Sequence, residues 1–70
     1  MKVRTIATFK EARTFCPVLG TIGEIVGTKG EYKVVKFPLP LNVTTGGTVL
    51  PDNRDSIEIY FKMDELEQVH

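Results

Sequence analysis

Few residues in this chain have chemistry to offer, and their spacing serves none. The 70 residues include one histidine, His70, and one cysteine, Cys16. A side-chain nucleophile needs a base held beside it, and a histidine next to the α-carboxylate at the chain end is a poor base or metal ligand. Cys16 lies among Phe15, Pro17 and Val18, surroundings that suit a structural thiol better than a reactive one. Asp64, Glu65 and Glu67 cluster near the end. They read as a solvated turn, because a cation there would need more oxygen ligands and a glycine-shaped loop. Gly20-Thr21-Ile22-Gly23 and Gly27-Thr28-Lys29-Gly30 have the glycine content of phosphate-cradling runs, yet neither precedes a helix whose N-terminus could receive an anion. Asn42-Val43-Thr44 fits the glycosylation acceptor pattern, which means nothing without a secretory signal. The expectation is a protein that is not an enzyme, with no catalytic residues, metal, cofactor or small-molecule substrate.

Composition fits a single small domain spanning residues 1–70. At 41% hydrophobic and 26% charged residues, the chain falls in the ordinary globular range. So short a chain buries only about 60% of the surface its unfolded form exposes, and its stability should be about 4–10 kcal/mol. No apolar run is long enough to span a membrane, and the N-terminal residues lack the pattern of a secretory leader. One cysteine cannot form an internal disulfide. A cytoplasmic location is expected. Net charge is zero, but residues 1–40 carry seven basic and three acidic side chains, and residues 41–70 carry two and six.

The elements follow from alternation and from glycine and proline. Ile57, Ile59 and Phe61 alternate with Glu58 and Tyr60, which predicts a strand with one buried face. Lys62-Met63 then makes a polar turn before a short last strand from Asp64 to Val69. Val3 to Phe9 predicts a first strand, with Val3, Ala7 and Phe9 on one face and Ile6 as the exception. Thr21–Val26 and Tyr32–Phe37 predict a hairpin around the glycine-bounded segment 27–31. Gly23 inside it suggests a bulge or a close backbone approach. Lys10 to Leu19 reads as an irregular loop containing Pro17. Pro38 and Pro40 end the third strand, and a 19-residue structureless loop would be uncommon in so small a domain. Residues 38–56 therefore read as a second hairpin, with its tip at Thr44-Thr45-Gly46-Gly47 and a further turn at Pro51–Asp55. The expected fold is all-β, a small five-stranded SH3-like barrel with a long hairpin-like excursion. Its expected core is Val3, Ala7, Ile22, Ile25, Val34, Val35, Phe37, Ile57, Ile59, Phe61, Leu66 and Val69.

Lys2-Val3-Arg4, Gly20-Thr21-Ile22 with Ile25-Val26, Tyr32 through Phe37, and Phe61 through Asp64-Glu65-Leu66 to Val69 together resemble the SH3-like barrels of photosystem I reaction-centre subunit IV (PsaE) and the ferredoxin–thioredoxin reductase variable chain. The resemblance spans nearly the whole chain. It implies a non-catalytic accessory subunit that docks on larger complexes through its loops. The chain differs from those barrels in the Leu, Val and Pro content of Leu39–Asp55 and in Cys16-Pro17.

Partner binding is thus the leading expectation: a small adaptor or regulatory subunit that binds a larger protein. The residues nominated for it are Leu39, Leu41, Val43, Val49 and Leu50 of the excursion, with Arg13 and Phe15 of the first loop. The same five aliphatic side chains could instead fold over the open end of the barrel as a lid. A virus-encoded modulator of a host enzyme would have the same features. The alternative is a nucleic-acid-binding barrel of KOW type. Lys2, Arg4, Lys10, Arg13, Lys29, Lys33 and Lys36 would form its basic stripe, and Tyr32, Phe9 or Phe15 its stacking surfaces. Zero net charge weighs against it.

Overall fold

Strand alternation organises the chain as its sequence requires. The computed structural model describes residues 1–6, 16–44 and 46–69. Among them the strands are β1 (Lys2–Thr5), β2 (Ile22–Lys29), β3 (Tyr32–Pro38), β4 (Leu41–Asn42), β5 (Thr48–Val49), β6 (Ser56–Lys62) and β7 (Leu66–Gln68), with a 3-10 turn over Met63–Glu65. Five of them form one antiparallel sheet in the order β6-β3-β2-β1-β7, while β4 and β5 pair as a separate ribbon. The protein is mostly β, and none of the described residues lies in an α-helix or in a helix long and apolar enough to cross a membrane.

The core gathers where alternating side chains converge. Val3, Val35, Phe37, Leu41, Val43, Ile57, Ile59, Phe61 and Leu66 are buried, with Ile25, Leu39 and Val49 packed against them. Phe37 and Phe61 meet edge to face at 5.8 Å between ring centroids, an arrangement suited to aromatic quadrupoles. In β6, Ile57, Ile59 and Phe61 point inward while Glu58 and Tyr60 face out, as the alternation predicts.

Gly23 explains how β2 fits over this core. A Cβ on Gly23 would lie 2.7 Å from both Phe37 Cε1 and Val35 Cγ1, so the absent side chain is what lets the backbone approach. The strand irregularity lies elsewhere, between Ile25 and Gly27. Because Gly23 takes the inward position, its neighbour Ile22 is turned out and half exposed. Its expected place in the core is therefore corrected. Val34 is likewise only half-buried, since it alternates with the buried Val35 and Phe37. Val69 is half-buried beyond the end of β7, and Ala7 lies outside the described residues.

Three boundaries also differ from expectation. β2 runs on through Lys29, so the turn contracts to Gly30-Glu31, with Gly30 at φ 63° and Lys29 opposite Tyr32. β7 begins at Leu66 rather than Asp64, because Met63–Glu65 coil into a 3-10 turn. That turn overturns the solvated-cluster reading for one carboxylate. Glu65 is fully buried, and its Oε1 accepts the Lys62 backbone amide at 2.8 Å. The first strand is described only to Thr5, and residues 7–15 lie outside the description.

Candidate interaction surfaces

The two regions nominated by sequence are joined by backbone hydrogen bonds. The Val18 amide donates to the Asn42 carbonyl at 3.2 Å, and the Thr44 amide donates to the Cys16 carbonyl at 2.8 Å. Pro17 forms a bridge with Val43 between these bonds. On the other side of β4, Leu41 and Asn42 pair with Val49 and Thr48. The β4–β5 ribbon thus has segment 16–18 lying against one side, fastened by an isolated bridge and two backbone hydrogen bonds. At its tip, the Val43 amide donates to Gly47 and the Gly46 amide to Val43, with Gly46 at φ 95°. The left-handed conformation at Gly46 is one that residues with a Cβ rarely adopt.

A threonine anchors this ribbon to the main sheet. Thr5 on β1 is 1% exposed, its hydroxyl donates to the Val18 carbonyl at 3.0 Å, and the Thr21 amide donates to the same hydroxyl at 3.2 Å. The Thr5 carbonyl accepts the Gly20 amide at 2.7 Å. These bonds close the turn Val18–Thr21 on the end of β1 and hold segment 16–18 where β4 can pair with it. Nothing in the local pattern of Lys2–Thr5 singles Thr5 out.

The nominated partner-binding residues divide by burial. Leu41 and Val43 are in the core, and Leu39 and Val49 pack against it as half-buried side chains. Four of the five aliphatic residues thus act as a lid, and Leu50, 68% exposed, faces solvent. Leu19, the last residue of the nominated Lys10–Leu19 loop though not singled out within it, is 59% exposed in the turn that Thr5 fastens, beside the partly exposed Val18. Arg13 and Phe15 lie outside the described residues. The apolar surface of this ribbon is carried by Val18, Leu19 and Leu50.

Among the described residues, the cations of the expected stripe are dispersed by the sheet register, and Lys10, Arg13 and the stacking candidate Phe9 lie outside the description. Lys2 and Lys36 each lie opposite Glu24, and Lys36 also lies opposite Glu58. Arg4 is bound to Glu67 at 3.1 Å between two half-exposed side chains, a pairing that sheet register favours but that contributes little net stability. Lys33 pairs with the inward Phe61, and strand alternation puts it on the face opposite Lys36. Among the described residues one aromatic and basic row remains, in which Tyr32 lies between Lys29 and Lys62 and Lys62 Nζ is 5.9 Å from the Tyr32 ring centroid.

Compared with known proteins, the chain matches no family model, no curated protein and no solved structure.

Proposed function

We propose that this protein is an SH3-like small barrel acting as a non-enzymatic adaptor or regulatory subunit, which docks on a larger protein through the ribbon formed by segment 16–19 and residues 41–50. The meander β1-β2-β3-β6, with β7 returning after a 3-10 turn to pair with β1, is a strand order compatible with such a barrel, and it fits the resemblance to the accessory barrels named above. The observation that carries the docking site is the pair of hydrogen bonds Val18 to Asn42 and Thr44 to Cys16. They merge the first loop and the excursion into one surface, with Leu19 and Leu50 exposed on it. Exposed loops positioned by a rigid sheet are where binding residues concentrate.

The test is capture from a lysate of the source cells, with wild-type protein beside a Leu19→Ser/Leu50→Ser variant. The reading expects a partner that wild type retains and the variant loses, while both melt at the same temperature. Equal capture by both proteins would refute this site.

The nucleic-acid reading keeps one supporting observation, the Lys29–Tyr32–Lys62 row. It ranks second because Glu24 and Glu58 interrupt the remaining lysines on that face.

A further inference from the structure

The outer face of the main sheet carries a row of charges of alternating sign. Lys2 lies opposite Glu24, Glu24 opposite Lys36, and Lys36 opposite Glu58. Residues directly opposite one another share a face, so the row crosses β1, β2, β3 and β6 in steps of about 4.8 Å. All four side chains are exposed, and among the described residues none is held in an ion pair within the chain. Such a row read from one end is plus, minus, plus, minus, and from the other end it is the opposite sequence.

We propose that this face binds a second copy of the same chain about a two-fold axis parallel to the strands. That axis reverses the row, so Lys2 meets Glu58 of the second copy and Glu24 meets its Lys36, each contact occurring twice. Self-complementarity of this kind is what a two-fold interface demands. A two-fold perpendicular to the strands would instead place like charges on each other.

The neighbouring rows obey the same operation. On one side, Arg4 lies opposite Ile22 and Pro38 opposite Ser56. Ile22 and Pro38 line one groove of about 440 Å³ on this face, and the axis lays Ile22 of each copy on Pro38 of the other. On the other side, Gly27, Val34 and Tyr60 are in register. Space above Gly27 is open, and the axis places Val34 of each copy over it. In the next row, Lys29 of each copy falls on Tyr32 of the other, where a cation over an aromatic face is attractive. Aligned packing of two sheets, at about −30°, accommodates these rows.

Sedimentation equilibrium of the whole chain tests the arrangement. Wild type is expected to dimerise at about 0.1–1 mM protein in low salt, and to dissociate as salt rises from about 50 to about 500 mM. Glu24→Lys alone and Lys36→Glu alone should each be monomeric, since each sets like charges at the 24–36 contact. An equimolar mixture of the two variants should associate again, because every contact in the mixed dimer is then complementary. Asp64→Lys has the same net charge as Glu24→Lys but leaves the row intact, and should dimerise as wild type does. Monomeric wild type, a dimer indifferent to either row change, a monomeric mixture of the two row variants, or a monomeric Asp64→Lys would each overturn the proposal. Restored association requires both variants to be folded, so misfolding cannot imitate the expected result.

Discussion

Val18 and Asn42 are 24 residues apart in sequence and joined by a 3.2 Å hydrogen bond between backbone groups. This bond makes the first loop and the excursion a single structural unit. Within it Leu41 and Val43 are buried, while Leu19 and Leu50 are exposed. Changes to the buried pair should act on stability, and changes to the exposed pair on binding.

The lid side gives the first prediction. Leu41 is 3% exposed and packs in the core, whereas Leu50 is 68% exposed. Leu41→Ala should cost about 2–5 kcal/mol through lost burial and the cavity left behind. Leu50→Ser should change stability by less than about 0.5 kcal/mol. Urea denaturation of both variants measures the difference, and equal effects would contradict the lid.

Gly23 sets a second expectation. A methyl group there would meet Phe37 and Val35 at 2.7 Å, too close for either to accept without moving. Gly23→Ala should therefore destabilise by about 1–3 kcal/mol, the usual cost of overpacking, although alanine favours an extended chain more than glycine does. A melting temperature at or above that of wild type would show that the core yields at this point.

The register of β6 is tested by charge. Ile59 is 8% exposed and Glu58 faces solvent. Ile59→Asp should unfold the domain, since an unpaired carboxylate in the core costs several kcal/mol and little stability is in reserve. Glu58→Lys should leave the fold intact. Circular dichroism on both variants decides the matter, and equal tolerance would mean the register is shifted.

Thr5 links the sheet to the ribbon through its hydroxyl. Thr5→Val keeps the shape but removes the hydroxyl's two hydrogen bonds, at a cost of about 0.5–1.5 kcal/mol each, while the Thr21 amide keeps the Val18 carbonyl at 3.3 Å. Thr5→Ser keeps the hydroxyl and should cost less. Amide exchange should quicken in Val18–Thr21 in the valine variant, and unchanged exchange there would mean that the hydroxyl does not hold the turn.

Oligonucleotide titration separates the two classes of function. Electrostatic binding weakens steeply between about 50 and 200 mM salt. The alternation of Lys2, Glu24, Lys36 and Glu58 predicts nothing tighter than weak micromolar binding to single- or double-stranded probes. Tight, salt-sensitive binding lost on changing Lys33 and Lys36 would favour the nucleic-acid reading.

Local pattern in the sequence was enough to read β6, the β2–β3 hairpin and the inward faces of Val35 and Phe37, because a period of two and flanking glycines report directly on backbone geometry. It misled at Ile22, where the inward position belongs to a glycine with no hydrophobic signal. It misled again at Glu65, since only the 3-10 turn carries that carboxylate inward from a run of acidic residues. Thr5 and the pairing of Cys16–Val18 with Asn42–Thr44 were not legible at all. Both depend on contacts between distant segments, and short windows of sequence hold no record of those. Among the nominated binding residues, an aliphatic side chain reads the same whether it covers the core, as Leu41 does, or faces water, as Leu50 does.

The most direct test of the docking surface is amide chemical-shift mapping with a captured partner. Perturbations centred on Leu19 and on Gly46–Leu50, absent with the Leu19→Ser/Leu50→Ser variant, are the result this account predicts. Perturbations confined to Tyr32, Lys36 and Tyr60, with the ribbon unaffected, would contradict it.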